Sequence, residues 1–194
     1  MYLYGASGHA KVIIEILELQ GIKVTGLFDD NPAITRLLDY QVMPFAPELL
    51  KLEETIITIG DNHTRKLIAE KHPFIFGRAI HPTATVSKRA TIGEGTVIMG
   101  NAIINCDAVI GKHTIINTAA SIDHDCTLGD YVHISPNATL SGNVTVGEGS
   151  WIGAGAVIIP GVKIGKWSVV GAGAVVIRDV TDGVTVVGNP GRVV

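Results

Sequence analysis

The chain has 194 residues, a formal net charge of −3, 46% hydrophobic residues and 17% charged ones. That is ordinary globular composition, and the small charge argues against a nucleic-acid or polyanion surface. No apolar run approaches the ~18 residues that cross a bilayer, so membrane insertion is not expected.

Met1 to Tyr4 opens directly as strand-like sequence, without a basic leader and apolar run, so a cytoplasmic protein is expected. Cys106 and Cys126 have no metal-type spacing and are expected to be reduced core or corner residues.

Residues 1–79 read as a small Rossmann-like α/β domain. Strand-like Met1–Tyr4 meets the turn Gly5-Ala6-Ser7-Gly8-His9, and Val12, Ile13, Ile16, Leu17 and Leu19 then recur at helical spacing. A helix N-terminus after a glycine turn favours a phosphate, because its unpaired N–H groups and dipole point there. A second strand, Lys23–Phe28, ends in Asp29-Asp30, about twenty residues past the turn, where dinucleotide folds hold ribose hydroxyls. A third, Thr55–Ile59, ends in Gly60-Asp61-Asn62 and leads to a helix over Thr64 to Lys71. The three strand ends are expected along one carboxyl edge of a parallel sheet, the usual ligand side of such sheets.

From Ile80 onward one pattern governs the chain. Every sixth residue from Ile80 to Val176 is Ile, Leu or Val, and the position four residues on, from Ala84 to Val180, is always small or β-branched. A six-residue period marks a parallel β-helix in which three units close one triangular coil, over residues 80–194 with a short tail. The aliphatic residues stack inward as ladders, with a rise of about 4.8 Å per coil. No loop breaks the phase between units. An active site must therefore come from coil side chains, the N-terminal domain and neighbouring subunits. The flat outer faces argue for side-by-side association.

One histidine in a turn of the repeat, His124, has a carboxylate on either side, Asp123 and Asp125. A carboxylate partner raises imidazole basicity and fixes its tautomer, as a general base requires. Gly142 follows His124 by one coil, and Ala154 and Ala172 stack one coil apart, a line of small residues that leaves a groove parallel to the solenoid axis.

Six-residue repeats of this kind resemble the left-handed β-helix acyltransferases, which use acyl-CoA and assemble as trimers. The segment from Asn117 to Cys126, the Gly5–His9 turn, Asp29-Asp30 and Val187-Gly188-Asn189-Pro190 together look like the bacterial sialic-acid O-acetyltransferase and UDP-amino-sugar N-acetyltransferase family, including the PglD-type enzymes. The resemblance covers essentially the whole chain. It implies an acetyl-CoA-dependent acetyltransferase with no metal, acting on the amine of a UDP-activated amino sugar in bacterial glycan biosynthesis. By that resemblance His124 is the base and Asp125 its partner, standing where the family usually has Glu, with Asp123 as an alternative. His133, Gly142, Ala154 and Ala172 match acetyl-CoA contacts, the Gly142 N–H serving the thioester carbonyl. Ser7, Gly8, His9, Asp29, Asp30 and Gly60 match the UDP-sugar site. A homotrimer with active sites at its interfaces is implied as well.

Three other readings are open on the sequence. One is O-acetylation of sialic acid. Another is a zinc hydratase of the γ-carbonic anhydrase type, for which His113, His124 and His133 supply the count but not matching spacings. The third is a non-catalytic sugar-nucleotide binder on the same scaffold.

Overall fold

A computed structural model describes residues 1–46, 48–49 and 53–194. The N-terminal sheet is built from β1 (Tyr2–Tyr4), β2 (Gly26–Phe28), β3 (Arg36–Leu37), β4 (Tyr40–Met43) and β5 (Thr55–Ile57), in the order β3-β4-β2-β1-β5. β1 lies parallel to both β2 and β5, and only β3 runs antiparallel to its neighbour β4. The expected strands at Lys23–Phe28 and Thr55–Ile59 are shorter at one end, and the β3–β4 pair had no signal in the periodicity. α1 (Gly8–Leu19) follows β1 and buries Ala10, Ile13, Ile14, Ile16 and Leu17, the face that its helical spacing marks out. α2 (Asn62–Lys71) starts two residues earlier than the apolar pattern suggests. Asp61 caps it by accepting the Thr64 N–H at 2.8 Å, and that cap sets the start.

From Ala79 the chain winds as a left-handed parallel β-helix of two-residue strands, with each strand paired to the one eighteen residues later: Ile80 with Ile98, Ile104 with Ile122, Ile110 with Leu128. Three faces result. The first, of eight strands, runs from Ala79–Ile80 to Arg192–Val193; the second has six and the third five. The aliphatic ladder points inward and is buried almost completely from Ile98 to Val176, forming one continuous core. Each such side chain removed from water contributes about 1.5–3 kcal/mol before entropy is subtracted.

The corners turn through one left-handed residue per hexapeptide. Every sixth residue from Gly95 to Gly173 has positive φ, among them Asn101, Asp107, Asp125, Asn137 and Asn143, residue types that tolerate this region best. The regular phase stops after Val176. Val180, which continues the small-residue series in the sequence, instead bridges Ile164, and Val169 pairs with Thr185, so the last coil is two residues short. The antiparallel pair Val186–Val193 then closes the solenoid.

The N-terminal domain sits on the first face. Leu3, Ile13, Ile16 and Leu17 share one buried cluster with Ala79, Val97, Met99 and Ile115, whose side chains point outward from the coils. The corner between the second and third faces is therefore the one farthest from that domain.

Candidate active site

His124 lies on that distant corner, between the second-face strand Ser121–Ile122 and the third-face strand Thr127–Leu128. The left-handed turn at Asp125 (φ 60°) swings its carboxylate onto the ring, and Oδ2 stands 2.7 Å from His124 Nδ1. Asp123 does something different. Its Oδ1 accepts the His124 backbone N–H at 2.8 Å and the Asn105 amide at 2.9 Å, and so holds the turn instead of the ring. Asp125 is thus the ring's partner. The His124 pKa is raised, first by the Asp125 hydrogen bond and then by the Asp123 charge. The imidazole is half exposed, and its Nε2 edge overlies Gly142, where an added Cβ would fall 2.7 Å from both Cε1 and Nε2. No backbone hydrogen bond engages the Gly142 N–H among the described residues.

His133 occupies the first face, pointing out between the solenoid and the N-terminal domain. Its ring stacks on Trp151 with centroids 5.8 Å apart, and the Asn117 amide donates to Nε2 at 3.2 Å. Burial pushes its pKa down to about 3, assisted by the nearby Arg65 and His9, while a hydrogen bond to the Gly60 backbone opposes the shift in part. Two clefts meet at this ring. One, of about 500 Å³, is walled by Gly60, Asp61, Asn62, His63, Trp151 and Trp167. The other, of about 470 Å³, runs along the corner between the first and second faces past Asn117, Ser135, Ala154 and Ala172. Ala154 and Ala172 therefore line one groove, one coil apart, with His133 at its end.

In the N-terminal domain, Gly5 has φ 111° and its position leaves no room for a Cβ, which would meet Ile59 at 2.7 Å. Ser7 is the N-cap of α1, yet its side chain makes no capping bond, and Gly8 faces open space. Asp29 spans the sheet edge: Oδ2 accepts the Ala6 N–H at 2.6 Å and Oδ1 the Asn31 N–H at 2.8 Å. Asp30 accepts the Tyr4 hydroxyl at 2.6 Å. Both acids border a cleft of about 240 Å³ with Pro32, Val42 and Phe45. His9 is held neutral by burial, with its pKa down to about 4, and among the described residues its Nε2 has no hydrogen-bond partner.

The candidates thus fall into three groups within one protomer, the first two meeting at the cleft that Gly60 and His133 share. Ser7, Gly8, His9, Asp29, Asp30 and Gly60 share the carboxyl edge of the sheet. His133, Ala154 and Ala172 lie along the first face and its edge. His124, Asp125 and Gly142 stand on the opposite corner. His113 is at a fourth place, the corner between the third and first faces, buried between Phe76 and Tyr131. His113, His124 and His133 consequently do not converge within the protomer.

Residues 1–72 match the PglD N-terminal domain family, and residues 107–142 and 143–178 match the bacterial transferase hexapeptide (six repeats) family. The perosamine N-acetyltransferase PerB of Caulobacter crescentus, solved with CoA and GDP-perosamine, is 40% identical, with a TM-score of 0.94 over 100% of this chain and 96% of that one. The acetyltransferase domain of PglB from Neisseria gonorrhoeae, solved with acetyl coenzyme A, is 37% identical, with a TM-score of 0.92 over 100% of this chain and 98% of that one. The UDP-N-acetylbacillosamine N-acetyltransferase of Bacillus subtilis is 44% identical over 118 residues, 50% of each chain. An uncharacterised protein of Acanthamoeba polyphaga mimivirus is 31% identical over 101 residues, and the chain covers 21% of it. The chain spans half or less of these last two.

The chain belongs to the PglD-type sugar acetyltransferases.

Two residues of this PglD-type fold had no role on sequence and acquire one from packing. Asn117, which begins the segment that carries the family resemblance, donates to His133 Nε2 from the preceding coil. Arg65, inside the plain amphipathic pattern of α2, is buried with 1% of its surface exposed. Nothing in its spacing distinguishes it from a solvated helix residue.

Proposed function

We propose that this protein transfers the acetyl group of acetyl-CoA to a primary amine on a nucleotide-activated amino sugar, with a UDP-4-amino-4,6-dideoxy sugar as the first candidate. The observation that carries this reading is His124, with Nδ1 bonded to Asp125 and its Nε2 edge over Gly142. In the reaction the amine nitrogen attacks the thioester carbonyl, and Nε2 removes the proton that the nitrogen sheds. The carbonyl oxygen gathers negative charge and receives the Gly142 N–H. The C–S bond then breaks, and the imidazolium returns its proton to the CoA sulfur. The products are the N-acetyl sugar and free CoA thiol, with no covalent enzyme intermediate.

The donor arm fits the groove of Ala154 and Ala172, with His133 at its head. The nucleotide fits the sheet edge of Ser7, Gly8, His9, Asp29, Asp30 and Gly60, its pyrophosphate at the α1 N-terminus. Because His124 stands on the corner opposite its own N-terminal domain, a nucleotide held there reaches the His124 of a second subunit. This supports a homotrimer with shared sites.

The test is CoA-thiol release against a panel of UDP- and GDP-linked amino sugars beside free and CMP-activated sialic acid. Turnover of the amino sugars is expected. Turnover confined to sialic acid hydroxyls would overturn the amine reading.

A further inference from the structure

Arg65 is the most deeply buried charged side chain described in the molecule, and no step of the proposed chemistry uses it. Its guanidinium donates to five acceptors drawn from both domains. On its own side Nη1 reaches the carbonyls of Ile59 at 3.0 Å and Gly60 at 3.1 Å, and Nη2 reaches Asn62 Oδ1 at 2.7 Å. On the solenoid, Nε reaches the His113 carbonyl at 2.8 Å and Nη2 the Tyr131 carbonyl at 3.0 Å. Asn62 extends the link by donating to the Gly149 carbonyl at 3.0 Å. A planar fork with fixed donor directions suits such a job, whereas a lysine presents one mobile point charge.

The pinned backbone belongs to the candidate site. Gly60 follows β5 at the candidate nucleotide edge, and Gly60, Asn62 and His133 wall the same 500 Å³ cleft. We infer that Arg65 is a positioning residue for the transfer reaction: it fixes the β5–α2 junction on the coils of His113 and Tyr131 and so sets Gly60 against His133 across that cleft. The inference rests on the acetyl-transfer reading for its kinetic consequence, not for its geometry.

The charge has its own effect. Arg65 remains a cation even though burial lowers its pKa to about 10. The titratable groups around it are Asp61 from the α2 cap, His9 from α1, and His113, Tyr131 and His133 from the solenoid. After burial itself, the Arg65 cation is the next cause holding His9, His113 and His133 neutral.

The experiment compares Arg65→Lys and Arg65→Gln in the full chain, with three readouts: KM and kcat for each substrate, calorimetric binding of CoA, UDP and GDP, and NMR titration of the His9 and His133 rings. For Arg65→Gln the KM for the nucleotide sugar is expected to rise about tenfold or more with a smaller change in kcat. The ring midpoints are expected to move up toward the ordinary histidine value. For Arg65→Lys the midpoints stay low while KM still rises. Wild-type KM values and titrations in both variants, with only a lower melting temperature, would overturn the inference. Should Arg65→Gln fail to fold, Arg65→Lys decides: a raised KM supports the role and an unchanged one removes it. If the wild-type protein releases no thiol with any nucleotide amino sugar, the activity reading fails on its own. Nucleotide binding and the histidine titrations then still decide the role of Arg65.

Discussion

His124 and His133 are nine residues apart on the same solenoid, and their surroundings push them in opposite directions. His124 stands on an open corner with a carboxylate on its ring, and its affinity for a proton is raised. His133 lies under the N-terminal domain against Trp151, and burial holds it neutral down to a pH of about 3. The difference is one of angle around the coil: half a turn carries a side chain from the exposed corner to the face that another domain covers. One histidine is thereby suited to moving protons and the other to presenting a fixed, uncharged ring.

Replacing His124 by Ala gives the largest effect expected from this contrast. A general base contributes roughly 10²–10⁴ in rate, so kcat should fall by that order while calorimetry shows CoA and nucleotide binding unchanged. Near wild-type turnover at saturating sugar nucleotide would remove His124 from the chemistry. Gly142→Ala should come next. The new Cβ meets the imidazole edge at 2.7 Å, although the backbone conformation there is open to any residue. A displaced base is expected to cost on the order of 100-fold in kcat, with the melting temperature held. Ala172→Trp tests the groove at the other end of the contrast. It should raise KM for acetyl-CoA by about tenfold and leave nucleotide binding intact, and equal weakening of both ligands would displace the donor arm from that groove.

Asp125→Asn should act on the pH profile. As the proposed base, His124 acts when deprotonated, so the rate is expected to rise with pH through its elevated pKa. Removing the carboxylate lowers that pKa, and the acid limb of kcat should move to lower pH. A limb that stays in place would assign it to another group.

The smallest effect concerns stability. His9 and His113 have folded pKa values near 4 and His133 near 3, all depressed below the unfolded value. The unfolded chain takes up protons that the folded chain refuses, so stability is complete above about pH 6.5 and declines as the pH drops toward 4. His113→Phe should flatten this decline in melts recorded at successive pH values. The His113 ring packs against Phe76, Tyr131 and Gly95, and among the described residues its Nδ1 has no hydrogen-bond partner, so little change is expected at neutral pH.

The ladder from Ile80 to Val176 was legible because a solenoid core has one rule, repeated: each inward position meets its equivalents one coil above and below. Gly142 under His124 and Ala154 beside Ala172 follow from the same spacing. The N-terminal strand ends were legible too, since glycine turns and acidic pairs have local causes. The shortened coil at Val180 was not, because Val fits either an inward or a corner position. Nor was the role of Asp29, whose two oxygens are taken up by the Ala6 and Asn31 N–H groups across the sheet edge.

By itself the sequence determined the coil, its phase and the pairing of a histidine with neighbouring acids, because these depend on residues at fixed short intervals. Only the tertiary structure decided that Asp125 holds the ring while Asp123 holds the turn, since a left-handed corner residue and its neighbours point different ways. Only it showed His133 covered and Arg65 pinned between domains. Burial comes from what a distant segment lays over a side chain, and no local spacing records that.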